Sequence, residues 1–201
     1  MKPLLILIVL VLAGCREQTP EEIYKRVQDS GTITDRQAEI LSTEILSKGR
    51  FFIFDVLTSI TDEQVEILSK IRSLDLNGLT SLTDKQAESL SKLHNLHLNG
   101  VTSLTDEQAE SLSNVEEISL SGLTSITDAQ AESLNKVKIL HLEGLTSITN
   151  EQVESLSKVE DFLDLGGLTS ITDEQAESLS KVKSLKISES LEPLIDKYKQ
   201  Q

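Results

Sequence analysis

Ile71-Arg-Ser-Leu74-Asp-Leu76-Asn77-Gly78-Leu79-Thr-Ser-Leu82-Thr83-Asp84-Lys-Gln86-Ala87-Glu-Ser-Leu90-Ser-Lys92 is one unit of a pattern that fills most of the chain. Its turn segment, Leu79-Thr-Ser-Leu-Thr-Asp84, recurs from Leu57, Val101, Leu123 and Leu145 at a spacing of 22 residues, and from Leu168 after 23. An earlier copy, Thr32-Ile33-Thr34-Asp35-Arg36-Gln37, opens the array with about five extra residues near Thr43 to Ser47, which makes seven units. A fixed period of this length means that each unit is one supersecondary element, able to bury its apolar face only by stacking on its neighbours.

Each unit has two halves with different periods. In Thr61-Asp62-Glu63-Gln64-Val65-Glu66-Ile67-Leu68, the threonine is a good N-cap and the glutamine three residues on completes a capping box. Asp62 and Glu63 stand at the positive end of the helix dipole and Lys70 at the negative end. Val65 and Leu68 form an inward pair, matched by Ala87/Leu90, Ala109/Leu112, Ala131/Leu134, Val153/Leu156 and Ala176/Leu179. Such a helix, two to three turns long, is unstable in isolation. The other half, Ser73-Leu74-Asp75-Leu76-Asn77-Gly78, alternates apolar and polar residues and predicts a short strand. Gly78, Gly100, Gly122, Gly144 and Gly167 are expected to adopt a backbone conformation that a side chain would obstruct.

Ile71-x-x-Leu74-x-Leu76-x-x-Leu79 resembles the leucine-rich repeat, and the Ile/Leu-Thr-Asp that follows is similar to its cysteine-containing subclass. The resemblance covers about residues 32–188. It implies an α/β solenoid of about seven repeats, with a parallel β-sheet on the concave face and short α-helices on the convex face. The chain departs from the family where Asn or Cys usually bonds along the turn: Leu57, Leu79, Val101, Leu123, Leu145 and Leu168 stand there. The Thr80 and Ser81 columns are expected to supply those turn hydrogen bonds instead.

The two ends carry their own signals. Met1-Lys2 is followed by an apolar run, Leu4 to Leu12, too short for the ~20 residues of a membrane-spanning helix, and then by Leu12-Ala13-Gly14-Cys15. This resembles a bacterial lipobox, which implies a signal peptide over 1–14, lipidation of Cys15 and a tether over 15–18. Several acyl chains, each contributing about 0.8 kcal/mol per buried CH2, would then hold the protein to the membrane. Arg16, where a sorting Asp would stand, favours the outer membrane over the inner one within the cell envelope. Thr19-Pro20-Glu21-Glu22, with Ile23 and Val27 behind it, predicts a helix covering one end, while Leu191, Leu194, Ile195 and Tyr198 predict one at the other. The expected division is a cap over 19–30, repeats over 31–188 and a cap over 189–201, all in one leucine-rich-repeat domain spanning 19–201. Cys15 is the single cysteine, so the mature chain forms no internal disulfide and relies on packing. A net charge of −14 argues against nucleic acid and anionic headgroups as partners.

Function is then expected on the sheet, where side chains pointing outward form columns about 4.8 Å apart. One column reads Ile53, Asp75, His97, Ser119, His141, Asp164 and Lys186; the next reads Asp55, Asn77, Asn99, Ser121, Glu143, Gly166 and Ser188. A third reads Phe51, Ser73, Asn95, Glu117, Ile139, Phe162 and Ser184. These positions vary while the frame repeats. Phe51, Ile53, Asp75, Asn77, His97, Asn99, Ser119, Ser121, His141, Glu143, Phe162, Asp164 and Lys186 are therefore the candidate binding residues for a protein or peptide ligand taken by a monomer. Phe51 and Ile53 have an alternative place beneath the N-terminal cap, and Phe162, beside the one-residue insertion, an alternative orientation inward. The order Asp-His-Ser-His-Asp also carries the residue types of a hydrolase, but no nucleophile turn or oxyanion donor accompanies it. Zinc between His97 and His141 is disfavoured by a separation of two strands, about 9.6 Å. The expectation is a binding module without cofactor or metal, with hydrolysis by the Ser/His/Asp column as the alternative.

Overall fold

The computed structural model describes residues 18–48 and 53–199; the leader over 1–14, Cys15 and Phe51 lie outside the described residues. Helix α1 (Pro20–Ser30) is followed by α2 (Asp35–Lys48) and α3 (Asp62–Leu68). Strands and helices then alternate: β1 (Ser73–Asp75), α4 (Asp84–Leu90), β2 (Asn95–His97), α5 (Asp106–Leu112), β3 (Glu117–Ser119), α6 (Asp128–Leu134) and β4 (Ile139–His141). The series ends with α7 (Asn150–Leu156), β5 (Phe162–Leu165), α8 (Asp173–Leu179), β6 (Leu185–Ile187) and α9 (Glu192–Lys199). The strands form one parallel sheet in chain order, β1 to β6, and Ile53 adds an isolated parallel bridge to Asp75 at its first edge. The register places Asp75, His97, Ser119, His141, Asp164 and Lys186 in one row, as the sequence period requires.

Stacking buries both halves of every unit. Leu74, Leu96, Ile118, Leu140 and Leu163 from the strands, Leu76, Leu98, Leu120, Leu142 and Leu165 just beyond their centres, and Leu68, Leu90, Leu112, Leu134 and Leu156 from the helices are all 0–1% exposed. At roughly 1.5–3 kcal/mol for each large side chain removed from water, these columns supply the drive that seven-residue helices lack alone. The first repeat absorbs its additional residues as helix: α2 has 14 residues where α3 to α8 have 7. The 23-residue repeat places its extra residue between Val159 and β5. Lys138 and Ile139 both bond the Glu116 carbonyl, Asp161 and Phe162 both bond that of Lys138, and Glu160 is the surplus residue.

Three local expectations are corrected. The strands span three or four residues and stop before Asn77-Gly78, because the chain turns away there. At Gly78, Gly100, Gly122, Gly144 and Gly167 the backbone is not left-handed; a Cβ would instead penetrate carbonyl oxygens of the preceding repeat. Close approach, not conformation, excludes the side chain. Helix α3 ends at Leu68 with Ser69 as its C-cap, so Lys70 lies beyond the last turn.

The ends differ from the middle. Thr19 and Glu22 form a capping box on α1, and Gly31 closes that helix at φ 66° in the left-handed region that glycine favours. Ile23 and Val27 are buried, and the Tyr24 ring meets Phe54 edge to face at 6.3 Å. At the other end α9 buries Ile195. Among the described residues no helix is long and apolar enough to cross a membrane.

Candidate functional site

The frame beneath the sheet face is held by two polar ladders. In each repeat the capping glutamine does double duty. Gln130 Oε1 accepts from the Thr127 amide at 3.0 Å, while its Nε2 donates to the Leu104 carbonyl of the preceding repeat at 2.9 Å. Gln64, Gln86, Gln108, Gln152 and Gln175 make the same pair of bonds, to Ile33, Ile60, Leu82, Ile126 and Ile148. All six are buried. The capping box was legible in the sequence; the bond to the preceding repeat was not, although a glutamine at every N3 position was its trace.

The second ladder corrects the expectation for Thr80 and Ser81. The Thr column bonds mainly through its backbone, as in Thr102 N to the Thr80 carbonyl at 3.4 Å. The side-chain ladder lies two residues before the leucine that replaces the family's Asn. The Asp55 carboxylate accepts from Asn77 N at 3.3 Å, Asn77 Oδ1 from Asn99 N at 3.0 Å, and Asn99 Oδ1 from Ser121 N at 3.1 Å. Leu79 and its equivalents point into the core, so the residue before each glycine is the one that faces the next repeat's amide. Asn77, Asn99 and Ser121 thus belong partly to the frame.

The column between the core leucines carries ionisable groups paired across strands. His97 Nδ1 lies 3.0 Å from Asp75 Oδ1, and His141 Nδ1 lies 3.6 Å from Asp164 Oδ2. Asp164 is 1% exposed; it accepts from Gly166 N at 2.9 Å and from Lys186 Nζ at 2.9 Å. Lys186 also reaches Glu143 Oε1 at 2.7 Å, and Ser121 Oγ donates to Glu143 Oε2 at 3.2 Å. The ammonium of Lys186, with a smaller contribution from Asp164, holds the Glu143 carboxyl below its usual range. Glu143 and then Asp164 hold Lys186 above its own.

Ser119 is buried and bonded to the ladder. Its Oγ donates to Asn99 Oδ1 at 2.6 Å. A nucleophilic serine gives its proton to an adjacent base, and here the acceptor is an amide oxygen that cannot take one. His97 and His141 have their Nδ1 atoms turned to Asp75 and Asp164. Among the described residues no group of three or more His, Cys, Asp or Glu is arranged to hold a metal ion.

The apolar candidates separate. Ile53 is not packed beneath the cap: the residue is 48% exposed, and Phe54 fills the buried position beside Tyr24. Only the Ile53 backbone is tied down, its carbonyl accepting from Tyr24 Oη and Gln28 Nε2. Phe162 is half-buried on the sheet face, in register with Ile139 and with its ring 5.3 Å from that of His141.

A strand, a glycine turn and a helix on a 22-residue period, stacked into one parallel sheet, define an α/β leucine-rich-repeat solenoid. No family model matches the sequence, and no curated protein does. Among solved structures the chain is similar to internalin C2 of Listeria monocytogenes, at 17% identity and a TM-score of 0.48, covering 82% of this chain and 72% of that one.

Proposed function

We propose that this protein is a lipoprotein of the bacterial cell envelope, anchored through Cys15 with the outer membrane favoured, that binds a protein or peptide on its sheet face without catalysing a reaction. One observation carries the reading: the repeats hold core, glutamine, threonine and glycine nearly constant and differ in the columns on the sheet. Side chains that stabilise a stack gain from being alike. Those at Ile53, Asp75, His97, Ser119, His141, Asp164 and Lys186 are all different in kind from at least one strand neighbour. Exposed Ile53 and half-buried Ile139 and Phe162 add apolar contact area of the sort that anchors protein interfaces. The Cys15 lipid would keep this face within the envelope.

Site-specific photo-cross-linking in living cells tests the binding part. A photoreactive residue at Ile139 is expected to capture a discrete envelope protein, and one at Glu132 on the helix face to capture none. Capture from Glu132 alone would move the site to the helices. Fractionation tests the anchor: Cys15→Ser is expected to leave the membrane fraction, and its retention there would refute lipidation at that residue.

A further inference from the structure

The sheet face is uneven in charge, and this unevenness describes its partner. Asp55, Asp75, Glu117 and Glu143 are exposed or half-buried across its first five rows, the Ile53–Asp55 row and those of β1 to β4. The one ammonium in the same columns is Lys186 at the far end, drawn inward onto Glu143 and the buried Asp164. His97 and His141 are the other titratable groups there, each beside a carboxylate. Toward the N-terminal repeats the face is therefore an acidic field with no lysine or arginine in these columns. Next to it, on β4 and β5, Ile139 and Phe162 form an apolar step backed by the His141 ring.

Resting on the sheet-face reading above, we infer that the ligand is an extended cationic segment carrying one large apolar side chain. The spacings agree. Neighbouring strands lie about 4.8 Å apart, so the midpoint of Ile139 and Phe162 is about 7.2 Å, one and a half strand spacings, from the Glu117 row. In an extended peptide, side chains on one face repeat about every 6.8 Å. An aromatic residue seated on Ile139 and Phe162 therefore puts a lysine or arginine two positions along over Glu117. A further basic residue two positions beyond, about 13.6 Å from that midpoint, falls between the His97 and Asp75 rows, within a side chain's reach of Asp75. Charge complementarity selects the basic segment, and the apolar step sets its register.

The test uses the full-length chain in neutral detergent and three dye-labelled heptapeptides read by fluorescence anisotropy: Lys-Ser-Lys-Ser-Phe-Ser-Ser, with no cation where the chain would pass the Lys186 row, the same with Glu for Lys, and the same with Ser for Phe. The first is expected to bind, and each of the others to bind about tenfold more weakly or worse. Glu117→Gln should weaken the first peptide and flatten its salt dependence, while Phe162→Ser or the milder Ile139→Thr should cost about tenfold. Unaltered melting temperatures would confirm that the variants are folded. Equal binding of the Glu peptide, or loss of binding with Glu107→Gln and Glu110→Gln on α5 but not with Glu117→Gln, overturns the inference. So does failure of all three peptides to bind. Cross-linking from Ile139 does not depend on these peptides, so the sheet-face reading would fail separately.

Discussion

Gln130 and Leu104 are joined across a repeat boundary by a 2.9 Å hydrogen bond from Nε2 to the main-chain carbonyl, at a site where the glutamine is 6% exposed. The same side chain closes the capping box of its own helix through Oε1. Gln130→Glu separates these roles, since the carboxylate still accepts from Thr127 but has no proton for Leu104. The variant is expected to lose about 1–3 kcal/mol, the cost of a buried acceptor left without a donor. Urea unfolding at neutral pH measures it. A loss below about 0.3 kcal/mol would mean that the Leu104 carbonyl finds water instead.

Gly166 and Gly167 are neighbours with opposite tolerance. A Cβ at Gly167 would enter the Glu143 carbonyl oxygen of the preceding repeat, whereas at Gly166 the nearest atom is a side-chain oxygen of Asp164 at 3.1 Å. Backbone oxygens fixed in a sheet cannot retreat without separating two repeats. Gly167→Ala is therefore expected to cost about 3 kcal/mol or more, and Gly166→Ala less than about 1 kcal/mol. Thermal melts of the two variants side by side decide it. Equal losses would show that close approach is not what keeps glycine at the repeated position.

The stack was legible because its cause is periodic. Val65/Leu68 and Leu74/Leu76 repeat at constant spacing, and each apolar position has one place to go. The row from Asp75 to Lys186 followed from the same arithmetic, including the offset at the 23-residue repeat. Contacts at the repeat boundary were not legible. Asn77 reads as an exposed turn residue, and only the position of the Asn99 amide shows that its oxygen is used. Gly78 reads as a demand on φ, although the demand comes from the Asp55 carbonyl 23 residues earlier. Ile53 and Phe54 are equally apolar, and which of them faces Tyr24 depends on how the first strand position meets α1.

Lys186 and Glu143 give the face a defined pH response. Glu143 is held below its ordinary value of 4.5, mainly by Lys186, so its contribution is present above that value and is lost as pH falls through the folded one. Lys186 is held above 10.5, mainly by Glu143, so its contribution is present below 10.5 and is lost as pH rises through its folded value. Between these limits the melting temperature of the native chain should exceed that of Lys186→Met by a constant amount. Below pH 4.5 the difference should shrink as Glu143 gains a proton. Exposures of 55% and 45% for the two side chains leave the pair open to salt, which should narrow the gap at neutral pH. A gap indifferent to both pH and salt would assign Lys186 a packing role through its aliphatic stem.

Asn99 and Ser119 distinguish a frame from a catalytic row. Asn99 Oδ1 accepts from Ser119 Oγ at 2.6 Å and from Ser121 N at 3.1 Å, which spends the serine proton on the ladder. Asn99→Asp preserves both acceptor roles and is expected to stay near native stability. Asn99→Leu leaves the Ser121 amide and the Ser119 hydroxyl without that partner and should cost about 1–3 kcal/mol. Ser119→Ala removes one donor from an oxygen that keeps another, for a loss of about 0.5–1.5 kcal/mol. If this column hydrolysed esters, Ser119→Ala would abolish the activity and Asn99→Leu, by freeing the hydroxyl for His97 or His141, would raise or preserve it. The expected result is that p-nitrophenyl acetate is cleaved at one background rate by the native chain and all three variants, while their urea midpoints fall in the order Asn99→Asp, Ser119→Ala, Asn99→Leu. A rate that disappears with Ser119→Ala alone would reverse the assignment and make the serine a nucleophile.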